Sequence, residues 1–94
     1  MTKQEFGKFA MAMKTYYPRE TSLLPNNQSM ELWFRQLQDL DYKTAERALN
    51  KWVSKNKWSP TIAEIRKAVA DEEVELKLAR LYENDVLFLE AEPL

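Results

Sequence analysis

LWFRQLQDLDYKTAERALNKWVSKNKWSPTIAEIRK, residues 32–67, decides the fold. Met30, Trp33, Phe34 and Leu37 stand at i, i+3, i+4 and i+7, the spacing that brings side chains onto one face of an α-helix, and Leu40 extends that face. Asp41 is a good N-cap, since its short carboxylate can accept a free backbone N–H. After it a second stripe begins with Tyr42, Ala45, Ala48, Leu49, Trp52 and Val53. So short a connection predicts that the two helices pack as an αα-hairpin, and that this hairpin is the core.

Thr2 and Glu5 form a T-x-x-E capping box that starts a first helix at about residue 3. Phe6, Phe9, Ala10, Met13 and Tyr17 recur at helical spacing, and Pro18 disfavours helical geometry at Tyr17. PRETSLLPNNQ, residues 18–28, reads as a loop, with Leu23 and Leu24 pinning it to the core and Asn26 or Asn27 capping the next helix. Trp58 reads as sealing the turn before Pro60, with ligand binding the alternative, and Thr61 with Glu64 forms a second capping box for a fourth helix carrying Ile62, Ile65, Ala68 and Val69. The expected helices are 3–17, 28–40, 42–56 and 62–83. The expected core contains Trp33, Phe34, Leu37, Tyr42, Leu49, Trp52, Trp58, Ile62 and Ile65.

The fold class is therefore all-α: a compact bundle of about four helices over 1–83, with a mobile acidic tail over 84–94. Ninety-four residues suit one domain, and 45% hydrophobic residues support a packed core. One glycine and four prolines leave few of the turns that a many-stranded sheet needs. With no cysteine and no histidine, disulfides, thiolate chemistry, Cys/His zinc sites and imidazole bases are excluded. No phosphate-binding glycine motif, EF-hand loop or nucleophile with an adjacent base is present, so neither a catalytic residue nor a metal or cofactor is expected. No apolar run indicates secretion or membrane spanning.

Charge is uneven. Residues 1–70 hold twelve Lys/Arg against seven Asp/Glu, while residues 71–94 hold two against eight. Lys43, Arg47, Lys51 and Lys55 recur at i+4, opposite the Trp52 stripe. They read either as a strip for phosphates or an acidic partner, or as a solvated face. The acids Asp71, Glu72, Glu73 and Glu75 read as a solvated helix face, and Val74, Leu78, Leu81 and Tyr82 as the stripe of a helical extension that packs less well. Val86, Leu87, Phe88 and Leu89, with Glu90 and Glu92, form an acidic apolar segment. It either orders on a partner's groove or folds back on the domain.

Tyr16-Tyr17-Pro18, Leu32-Trp33-Phe34, Asp41-Tyr42 and Lys57-Trp58-Ser59-Pro60-Thr61-Ile62-Ala63-Glu64-Ile65 together resemble the replicative-helicase loader and inhibitor family, small all-helical proteins from phages of Gram-positive bacteria. The resemblance covers about residues 2–70. It implies a non-enzymatic replisome organiser, monomeric when free and working in the cytoplasm of the infected host. Such a protein binds the ATP-bound hexameric replicative helicase, suppresses its ATPase and unwinding, and delivers it to an origin-bound initiator. The tail, residues 86–90 and 92, is then the expected helicase contact, and the basic row faces the initiator or DNA. The alternative is a small nucleic-acid-binding module whose acidic tail autoinhibits the basic row.

Overall fold

The computed structural model describes the backbone of residues 1–91 and the side chains of residues 1–81. Among them are four α-helices and no strand: α1 (Lys3–Tyr16), α2 (Asn27–Leu37), α3 (Tyr42–Lys55) and α4 (Ile62–Ala91). The acidic tail expected over 84–94 has its side chains outside the described residues.

Local chemistry sets each helix start. The Thr2 hydroxyl accepts from the Glu5 N–H at 3.1 Å, while the Glu5 carboxylate accepts from the Thr2 N–H at 2.8 Å. Thr61 and Glu64 repeat this box at 3.2 and 3.0 Å. Asn26 caps α2 through Ser29 N–H, and Asp41 caps α3 through Thr44 N–H. Each cap satisfies a donor that the first turn leaves without a partner.

Three ends fall short of expectation and one overruns it. The first helix stops at Tyr16, α2 at Leu37 rather than at 40, and α3 at Lys55, while the backbone of α4 runs past 83 to Ala91. Residues 38–40 instead form a turn, in which Leu40 N–H donates to Leu37 O at 3.0 Å. Leu40 still packs half-buried against the core.

The expected α2–α3 hairpin is not how these helices pack. Among the described residues the packed pairs are α3 with α4, α1 with α3, α1 with α2, and α2 with α4. The helices therefore form a ring in which α2 and α3 lie across a diagonal. Closeness in sequence brings two helix ends together, but it does not align the helices. Apolar faces choose partners over the whole chain, and α1 offers both α2 and α3 a better surface. Phe6 of α1 meets Phe34 of α2 with ring centroids 5.8 Å apart, tilted by 60°.

All four helices feed one core. Met13, Leu37 and Ala45 are completely buried and Val69 nearly so, joined by Phe6, Phe9, Ala10, Ala48, Leu49 and Ile65. The small side chains of Ala45 and Ala48 suit α3 to its position between α1 and α4. Of the expected core, Leu37, Leu49 and Ile65 are buried, while Trp33, Phe34, Tyr42, Trp52 and Ile62 are half-buried. Trp58 is the exception, with 73% of its surface exposed. Its main chain seals the turn: Trp58 O accepts from Trp52 Nε1 at 2.7 Å, and Pro60 is buried two residues on.

The loop between α1 and α2 is pinned by Leu24, which is 3% exposed and adopts a left-handed φ of 49°. That conformation costs a non-glycine residue about 1–2 kcal/mol. Full burial of a leucine returns about 1.5–3 kcal/mol. Burial wins, so the loop holds its shape.

Two substitutions test this packing by urea unfolding. Leu37→Ala should cost about 2–5 kcal/mol, the range for truncating a fully buried leucine. Gly7→Ala should gain about 0.5–1 kcal/mol, because Gly7 lies inside α1 and a Cβ built there meets nothing within 4 Å.

Candidate functional site

The basic row does not form one face. An i+4 step turns a side chain through about 400°, so each cation lies about 40° further round α3 than the last. Lys43 and Arg47 stand in solvent, but Lys51 has rotated toward α4. Its ammonium lies 2.7 Å from Glu72 Oε2 and 2.6 Å from Glu75 Oε2. Lys55 lines the same cleft, together with Trp52, Ala68 and Asp71. The row expected opposite Trp52 thus ends beside it, with Lys51 already neutralised.

The acidic cluster is correspondingly not a plain solvated face. Glu72 is buried, at 7% exposure, and Glu75 joins it on Lys51. Among the described residues no group of acidic side chains is arranged to hold a metal ion.

A second pair fixes α4 from the other side. Arg66 grips Asp39 with two parallel bonds of 2.8 Å, and its Nη1 also donates to Gln36 O at 2.9 Å. This fork matches a carboxylate bidentately and reaches the main chain at the end of α2. The Arg66 bonds hold the Asp39 carboxyl down at about 2, and the Lys51 bond lowers that of Glu75.

These clamps, with Ile65 and Val69 in the core, hold only the first turns of α4. Val74, between the two clamp acids, and Leu78 and Leu81 past them are 55%, 59% and 60% exposed. Their spacing of four and then three residues puts them on one face, an apolar stripe left bare by the described residues. In sequence the stripe leads to Val86, Leu87, Phe88, Leu89, Glu90 and Glu92, all of whose side chains lie outside the described residues.

A further surface was not assembled from the sequence. Tyr16 and Trp58, 45% and 73% exposed, line a cleft where the end of α1 meets the turn before α4. Trp58 sits between helices, so no periodicity assigns it a side. Only its missing helical partners could have hinted at exposure.

The two clamps predict an acid response. Both carboxylates are lowered in the folded protein, so their contribution is present above the ordinary carboxylate pKa and lost as pH falls through the folded values. Wild type should lose stability between about pH 4.5 and 2. A Lys51→Met/Arg66→Leu variant, followed by urea unfolding across that window, should show a flatter profile. An unchanged slope would refute the clamp roles.

No curated protein and no solved structure matches the chain. The family model for the N-terminal domain of gp39P, the phage helicase loader/inhibitor protein, matches residues 1–66. That span covers α1, α2, α3 and the opening turn of α4 as far as Arg66. No helix among the described residues is long and apolar enough to cross a membrane. The matched span contains both capping boxes and most of the ring of helices, and by it the chain belongs to the phage helicase loader and inhibitor protein family.

Proposed function

We propose that this chain is a non-enzymatic adaptor of phage DNA replication. It binds the ATP-bound hexameric replicative helicase, restrains its ATPase and unwinding, and helps deliver it to an origin-bound initiator. The observation that carries this reading is the geometry of α4, clamped to the body as far as Glu75 and bare along a stripe that begins at Val74, between the clamp acids, and runs on through Leu78 and Leu81. A helix presenting unpartnered apolar residues at one-turn intervals suits the groove of a partner protein.

In this reading the stripe and the acidic apolar segment Asp85–Glu92 form one continuous contact, with Phe88 as its anchor. An apolar anchor inside a charged rim is the usual composition of a protein interface. The acids give the contact a preference for a basic helicase surface. Lys43 and Arg47, open to solvent on α3, are left to face the initiator. The clamps make the grip consequential. Because α4 enters the body as a fixed strut, holding its far end also positions the body on the hexamer.

The test is capture of the replicative helicases of phage and host, with and without ATP, by the full chain, a chain ending at Asn84, and a Phe88→Ala/Leu89→Ala variant. ATP-dependent capture by the full chain, lost in the other two, is the expected result. Val74→Ser/Leu78→Ser should weaken capture by about tenfold, since losing an interface anchor costs more than about 1 kcal/mol. Its stability should not change, because both side chains are exposed. Capture that survives truncation would overturn the assignment of the contact. Absence of capture, together with salt-sensitive DNA binding that strengthens on truncation, would favour the autoinhibited nucleic-acid module.

A further inference from the structure

The cleft between the end of α1 and the turn before α4 has no part in the helicase reading. It is about 410 Å³ in volume, and Tyr16, Pro18, Arg19, Lys57 and Trp58 line it with Tyr17 and Glu20. A tryptophan at 73% exposure and a tyrosine at 45% present open ring faces to solvent.

The cleft is held rigid by contacts that bring together residues far apart in the chain. Tyr17 OH donates to Asn56 O at 3.0 Å. Ser59 donates to Glu20 twice, from N–H at 2.8 Å and from the hydroxyl at 2.6 Å. Trp52 Nε1 donates to Trp58 O at 2.7 Å. These bonds fix the main chain beneath Trp58 before any ligand arrives, so little ordering cost remains for binding.

They also decide which ligand fits. Glu20 is the only acid lining the cleft among the described residues, and both its carboxylate oxygens are turned onto Ser59. Arg19 and Lys57 are exposed, so the charge offered outward is positive. Asn56 O, Trp58 O and Ser59 N–H are already bonded within the protein and so are not offered to an extended peptide. The cleft offers aromatic faces flanked by cations. That combination suits a nucleobase with its phosphates, because every base has a π-face and every linkage an anionic oxygen.

We propose that this cleft binds single-stranded nucleic acid, with a base stacked on Trp58 and neighbouring phosphates at Arg19 and Lys57. The site lies apart from the α4 stripe and does not depend on the helicase contact. It also differs from a phosphate strip along α3, where Lys51 is already held by Glu72 and Glu75.

The experiment is fluorescence anisotropy of a short labelled oligothymidylate titrated with the full chain at low and raised salt. Binding should weaken with salt at a log–log slope of about −1.4, from two phosphates at about −0.7 each on single strands. Trp58→Ala should weaken it on the order of tenfold, the loss expected for one stacked base. Arg19→Ala/Lys57→Ala should remove the salt dependence. All these side chains are exposed, so circular dichroism should show the fold unchanged. Failure of the oligonucleotide to bind at low salt, or equal binding by Trp58→Ala, would overturn the proposal. So would binding that Lys43→Ala/Arg47→Ala abolishes while Trp58→Ala does not. A proline-rich peptide that shifts tryptophan emission in the wild type but not in Trp58→Ala, where the oligonucleotide has no effect, would reassign the cleft to a protein partner. Helicase capture by Trp58→Ala, measured in parallel, keeps the two functions separable.

Discussion

The ammonium of Lys51, shared between Glu72 and Glu75, sets where the body of this protein ends. Burying Glu72 costs solvation, and a carboxylate at that depth is tolerated because a cation meets it at 2.7 Å. The pair is a poor source of net stability, since desolvation cancels much of its attraction. What it supplies is position. It fixes the register of α4 against α3, as Arg66 fixes α4 against the end of α2, while Ile65 and Val69 fill the space between. Past Glu75 only Leu76 among the described residues is still half-buried, and Leu78 and Leu81 are bare.

The structure is marked by an imbalance of lengths. The ring of α1, α3, α4 and α2 is closed by only the first turns of α4, whereas the helix runs for 30 residues, roughly 45 Å at 1.5 Å per residue. The family match ends at Arg66, close to the first clamp, so the shared part of the chain is the body that holds the strut. The exposed aromatic cleft lies on that shared part and the stripe beyond it, a separation suited to partners of different chemistry.

What was legible in the sequence was local. Thr2 with Glu5, Thr61 with Glu64, and the caps Asn26 and Asp41 act within one turn, so residue type and spacing suffice to place them. The core stripe of α1 could be read for the same reason. Helix pairing could not, because a four-residue connection between α2 and α3 says where their ends lie and nothing about which faces match. Nor could the basic row be read as flat: drift of about 40° per step carries Lys51 to a carboxylate on another helix. Hydrophobicity alone assigns Trp58 inward, whereas the turn uses its carbonyl instead of its ring.

The break in α4 between clamped and bare turns also has a bearing on how such a chain can change over time. Residues that support the ring are constrained by packing, since Met13, Leu37 and Val69 are fully buried and a change of volume there costs stability. Val74, Leu78 and Leu81 carry no such burden. Substitutions there leave the core volume untouched, so under the proposed reading the outer turns of α4 are free to change while the ring stays fixed.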